Sequence, residues 1–117
     1  MKVVYPVIFT KTNDENDTYL IEIPDLKEHS SGLTEGFGLA DAIHMARDYI
    51  GCSCFGLRDS DLPQPSKLED ININTGEFSE IGDSFVSLVD LDLTKYRRSM
   101  EQTSMIRSMT IPVSRRH

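Results

Sequence analysis

The sequence predicts a small α+β domain in which one layer of antiparallel or mixed sheet is covered by a single main helix. Three observations carry this expectation. Runs rich in β-branched and aromatic residues, Val3 to Thr10, Thr18 to Ile23 and Phe85 to Leu91, read as strands. Leu39 to Ile50 repeats its apolar residues at helical spacing. The pieces follow in the order three strands, helix, strand, and 117 residues leave room for one core and an appendage.

Val3 to Thr10 is apolar on both alternating faces, as in a strand covered on both sides. Pro6 lacks the N–H for a ladder bond, so this strand either lies at an edge or turns that position outward. The Asn- and Asp-rich run Thr12 to Asp17 supplies the turn of a hairpin onto Thr18 to Ile23, which Pro24-Asp25 ends. A polar loop from Lys27 to Ser31 leads to Gly32 to Gly38, a short third strand flanked by glycines. Leu39, Ala42, Ile43, Ala46 and Ile50 form one helical stripe, with Asp41, Arg47 and Asp48 off it and Gly51 at the C-cap. From Gly56 to Glu80 the composition turns polar, with Pro63, Pro65 and a tight turn at Asn74 to Glu77, which predicts a long excursion. Phe85 to Leu91 restores period two as the fourth strand. Asp92 or Thr94 can cap a short helix carrying Tyr96 and Met100, after which Met105 to Ile111 alternates until Pro112. The chain therefore divides into a body, residues 1–93, and a C-terminal arm of helix and strand, residues 94–117.

The longest apolar runs fall far short of the roughly 20 residues of a bilayer span. The N-terminal apolar run breaks at Pro6 with no small-residue cleavage site, so a cytoplasmic address is expected. Cys52 and Cys54, one residue apart, are poorly placed to staple distant parts of the chain and read as reduced thiols. The net charge of -7 hides an asymmetry: residues 1–93 hold 18 acids and 6 bases, whereas residues 94–117 hold 1 acid and 6 bases. An acidic body repels nucleic acid and attracts a basic partner, while the basic tail can touch phosphate or pack back on the body.

Glu22, Asp25, Glu35 and Asp90 lie on or beside the expected strands, where a metal-dependent nuclease would place acids, but with 19 acids in the chain several must fall there by chance. The histidines at 29, 44 and 117 share no ligand spacing with Cys52 and Cys54. His44 and Asp48 fit a solvated i,i+4 pair, and no phosphate loop or nucleophile elbow occurs. The glycines of Gly32 to Gly38 precede a helix N-terminus as a phosphate cradle would, yet Glu35 beside them repels an anion, so turns and close helix-to-sheet packing explain them better.

Five pieces stand in one order: Tyr5-Pro6-Val7-Ile8-Phe9; Tyr19 to Leu26; Leu33-Thr34-Glu35-Gly36 leading into Ala40-Asp41-Ala42; Leu62-Pro63-Gln64-Pro65-Ser66; and Ser87 to Asp92. Together they resemble the HicB antitoxins of bacterial type II toxin-antitoxin systems, from about residue 1 to residue 112. The resemblance implies a fold like a partially degraded RNase H domain, no enzymatic activity and no cofactor. It also implies a partner, a HicA-like toxin: a small basic mRNA-cleaving ribonuclease whose RNA-binding and active surface the antitoxin covers.

Many HicB proteins continue after a Thr-Ile-Pro strand into two helices that complete a ribbon-helix-helix DNA-binding domain, whereas here Thr110-Ile111-Pro112 is followed by five residues. The expectation is therefore an incomplete ribbon-helix-helix, with operator binding in doubt. Asp25, Glu35, Asp41 and Asp48, which adjoin the family motifs, are the expected partner-binding acids. The alternative is a DNA-binding transcriptional regulator acting through the arm, with Arg97, Arg98, Arg107, Arg115 and Arg116 on phosphate. A homodimer or larger assembly held through residues 94–113 is expected, because an alternating strand at a chain end buries its apolar face best by pairing.

Overall fold

The computed structural model describes residues 1–28 and 34–102. Four strands, β1 (Lys2–Lys11), β2 (Thr18–Glu22), β3 (Thr34–Phe37) and β4 (Asp83–Asp92), form one sheet in the order β3-β2-β1-β4. Every neighbouring pair is antiparallel. Helix α1 (Leu39–Cys54) covers one face. A second helix, α2, occupies residues 93–102. The order of three strands, helix and strand is the one the patterning predicts. No helix among the described residues is long and apolar enough to cross a membrane.

β1 is central, and its pairing explains how Pro6 is accommodated. The rungs to β2 run only from Ile8 to Lys11, and Pro6 stands opposite Leu88 of β4. Thr12 N–H donates to Thr18 O across the β1–β2 side at 2.9 Å, while Leu93 N–H donates to Met1 O on the β1–β4 side. Main-chain groups of successive strand residues point alternately to the two sides. Even-numbered residues of β1 therefore face β2, and the missing N–H of Pro6 falls where β2 has already ended. The hairpin turn closes on Asp14, whose carboxylate accepts the N–H groups of Asn16 at 3.1 Å and Thr18 at 3.3 Å. Hydrogen bonding, from the Thr18 side chain first and then from these N–H groups, holds its carboxyl below the ordinary carboxylate range.

The odd-numbered face of the sheet meets α1. Tyr5, Val7, Phe9, Ile21 and Val89 pack with Ala42, Ala46, Tyr49, Ile50 and Cys54 into one buried cluster. Phe9 stacks on Phe85 with ring centroids 5.3 Å apart, and Tyr19 meets Phe85 edge-on. Gly36 lets α1 approach closely, since a Cβ there would lie 2.6 Å from Ala42 Cα. This is the packing role expected of the glycines before the helix; Gly32 and Leu33 of the expected third strand lie outside the described residues.

Gly51 does not cap the helix. α1 continues through it to Cys54, and the cap is Phe55, whose N–H donates to Gly51 O at 2.9 Å. The helix extends because Cys54 is another core residue, and glycine stands at 51 because Tyr96 of α2 lies over it: a Cβ would fall 2.5 Å from the ring Cζ.

The excursion after α1 passes around the sheet with 3-10 turns at Asp59–Asp61, Leu68–Asp70 and Ile73–Thr75. It begins on the helix side, where Leu62 packs on the core and Pro63 O accepts the Tyr5 hydroxyl at 2.8 Å. It ends on the other face, over Ile8 and Glu22. β4 then leads directly into α2, whose first turn is capped by Asp92: its carboxylate accepts Lys95 N–H at 3.1 Å, and that bond lowers the carboxyl pKa. The expected strand Met105 to Ile111 lies outside the described residues.

Candidate interaction surface

The four expected partner-binding acids are placed differently. Glu35 is exposed on β3. Asp41, in the first turn of α1, accepts Phe37 N–H at 2.9 Å and so ties the end of β3 to the helix start. A carboxylate in that position also meets the positive end of the helix dipole. Asp48 lies seven residues further along α1, on the same side of the helix and about 10 Å away along its axis. The three do not share one surface: Glu35, opposite Leu20, belongs to the sheet face away from α1, Asp41 sits where β3 meets α1, and Asp48 lies beside Tyr96 and Leu91 toward β4. Asp25 is elsewhere again: it sits on the 3-10 turn Pro24–Leu26, and its carboxylate accepts Ser66 N–H at 2.8 Å and Ser66 Oγ–H at 2.6 Å. Its oxygens hold the excursion to the end of β2.

At the junction of α1 and α2, Tyr96 Oη lies 3.2 Å from Cys52 Sγ and donates to Asp48 at 3.4 Å. Burial first, then Cys52 and Asp48, hold this phenol well above its ordinary pKa. A cavity of about 190 Å³ lies beside it, lined by His44, Arg47, Asp48, Leu91 and Tyr96. Both cysteines are free thiols, Cys52 exposed and Cys54 buried; burial is the main cause that raises the Cys54 thiol.

The basic residues offered for phosphate contact also separate. Arg97 turns inward: its guanidinium donates to Asp59 at 2.8 Å, to Leu57 O at 2.7 Å and to Phe55 O at 3.4 Å. A guanidinium with its fork engaged in this way is a clamp between α2 and the end of α1. Arg98 is exposed, and Arg107, Arg115 and Arg116 lie outside the described residues.

Of the acids a metal nuclease would use, Glu22 is buried, with Oε1 accepting Glu77 N–H at 2.8 Å and Lys27 Nζ–H at 3.5 Å. Asp90 is exposed and paired with Arg47 at 3.3 Å. Among the described residues no three His, Cys, Asp or Glu side chains gather as a possible metal-ligand set.

Residue-by-residue reading of motifs overlooked a larger feature. Between Lys67 and Lys95 the chain carries seven acids and no Lys or Arg, and this stretch includes the whole of the outer strand β4. The spacing between successive basic residues would have revealed it.

The comparisons with known proteins bear on this geometry. No protein-family model matches the sequence, and no curated protein matches it. Among solved structures, the chain is similar to a chain of a toxin-antitoxin complex from Streptococcus pneumoniae, with 28% sequence identity and a TM-score of 0.66. The similarity covers 82% of this chain and 73% of that one.

Proposed function

We propose that this chain is an antitoxin that binds a HicA-like mRNA-cleaving ribonuclease and blocks its RNA-binding and active surface. The observation that carries the proposal is the similarity to a chain of a solved toxin-antitoxin complex over most of both chains. The HicB resemblance of the five ordered motifs names the antitoxin family, and the order of strands and helix fits the partially degraded RNase H-like domain it implies. The 18 acids against 6 bases of residues 1–93 supply the electrostatics for a basic toxin. Glu35, Asp41 and Asp48 present charge at three separate places on the body, and Asp25 acts at one remove by holding the excursion in place.

Inhibition on this reading is steric and electrostatic. Acids facing the toxin occupy the groove that would otherwise hold phosphates, so the antitoxin competes with RNA without any chemistry of its own. Co-expression with the HicA-like toxin, purification of the complex and an RNA cleavage assay test it. The expected result is a stable complex in which cleavage stops at equimolar antitoxin. Continued cleavage with antitoxin in excess, or RNA cutting by this chain alone with magnesium, would overturn it.

A further inference from the structure

The two outer strands of the sheet end very differently. β3 is four residues long, and the outward N–H of Phe37 is taken by Asp41. β4 is ten residues long and contains neither proline nor lysine, the residues that commonly blunt an edge. Leu93 N–H bonds to Met1 O of the β1 side, whereas Asp90 O faces away and accepts Arg47 Nε–H at 3.1 Å. By strand alternation the odd-numbered residues of β4 are laddered to β1, and Ser84, Val86 and Leu88 turn N–H and C=O outward. Arg47 covers the row at Asp90 and Ser87 Oγ–H donates to Leu88 O at 3.4 Å, so the open stretch is residues 84–88 with the Leu88 carbonyl partly engaged. Apolar side chains stand exposed on both sides of it: Leu88 is 52% accessible and Phe85 40%.

Resting on the antitoxin reading above, we propose that residues 84–88 of β4 form a docking edge at which an extended basic segment of the toxin pairs as a fifth strand. Backbone bonds to Ser84, Val86 and Leu88 would supply affinity, with Leu88 and Phe85 receiving apolar side chains on the two faces. Charge selects the occupant. Glu80 and Asp83 precede the open stretch and Asp90 and Asp92 follow it; Arg47 pairs with Asp90, and Lys11 and Lys2 stand opposite Asp83 and Asp92 on β1. Yet residues 1–93 hold 18 acids against 6 bases, so a second copy of β4 would set an acidic body against an acidic body, while a basic strand is attracted.

Hydrogen exchange on the full chain, alone and in complex with the toxin, tests this directly. The Ser84, Val86 and Leu88 amides should exchange roughly a hundredfold more slowly in the complex. Val86→Pro deletes an outward donor without removing a rung to β1, and Leu88→Lys sets a cation against the basic strand. Each should weaken toxin binding about tenfold or more with the melting temperature of the free chain nearly unchanged; should the proline variant melt early, the lysine variant carries the test. If toxin binds and cleavage stops while the three amides exchange as in the free chain, the docking edge is wrong and the antitoxin reading stands. Absence of any toxin binding overturns both. Protection that grows with concentration in the free chain would assign the edge to a second copy, and protection lost on truncation after residue 102 would assign it to the chain's own tail; either overturns the proposal.

Discussion

The two faces of the sheet are covered by different physics. On the odd-numbered face, α1 lays Ala42, Ala46, Tyr49, Ile50 and Cys54 on Tyr5, Val7, Phe9, Ile21 and Val89, a continuous apolar contact in which no single pair is decisive. On the even-numbered face, Pro6, Ile8 and Thr10 are equally buried, yet the cover is the irregular end of the excursion. It is held by separate polar contacts: Glu22 to Glu77 N–H, and, where the chain rounds the sheet, Asp25 to Ser66. A regular element is fixed by area and an irregular one by anchors. The helix face should therefore fail globally and the excursion face locally.

The most damaging test of that contrast is Ile50→Ala. Removing a fully buried aliphatic side chain between helix and sheet should cost about 3 kcal/mol, read as a lower midpoint in urea with one cooperative transition. A midpoint close to that of the unaltered chain would mean that the helix face does not dominate stability.

Next comes Glu22→Ala, which leaves Glu77 N–H without its carboxylate and opens space beneath Gly76. A loss of about 2 kcal/mol is expected. The sharper signature is local: proteolysis within residues 68–78 should accelerate more than global unfolding does. Glu22→Gln keeps an oxygen for Glu77 and should lose less. If both variants lower global stability without any gain in cutting there, the excursion folds as one unit with the core and the contrast fails.

Asp25→Ala should be milder, about 1 kcal/mol, because the turn it occupies is half-exposed and water can replace Ser66. Exchange of the Ser66 amide should rise while that of Ile50 does not. An equal rise at both positions would count against separate anchoring.

The smallest expected effect concerns the cap of α2. The Lys95 N–H bond lowers the Asp92 carboxyl below its usual value of 3.8. A depressed carboxyl stabilises the fold above the unfolded value and loses that contribution as pH falls through the folded one. Helicity of α2 should thus decline on the acid side below about pH 4, and Asp92→Asn, which can still cap, should flatten that decline at this position. An acid limb unchanged in the Asn variant would assign the loss to other carboxylates.

Much of the fold was legible because it is periodic. The stripe Leu39 to Ile50 located α1, and the two apolar faces of Val3 to Thr10 marked a strand covered on both sides before either cover was known. What escaped notice depends on contacts without a period. Gly51 looks like a helix end because glycine ends helices; only Tyr96, 45 positions later, shows that it is a seat for a ring. Asp25 looks like free charge because nothing nearby in the sequence marks Ser66 as its partner. Arg97 fits a phosphate-binding tail until Asp59 and the carbonyls after α1 claim its donors. The acidic run that holds β4 was half visible, in the absence of bases between Lys67 and Lys95, but which of its residues turn outward follows only from the rungs to β1.

The Arg97 clamp has a mechanical side. With Tyr96 seated on Gly51 and the guanidinium bolted to Leu57 and Asp59, α2 is joined to the body as a rigid bracket, not hung from it by a tether. A flexible tether lets a bound tail wander through a wide volume and dilutes whatever is attached to it; a stiff root fixes both distance and direction. The direction in which the chain leaves the body at residue 102 is therefore set by α1, through contacts from two successive residues of α2 rather than by the covalent link to β4 alone.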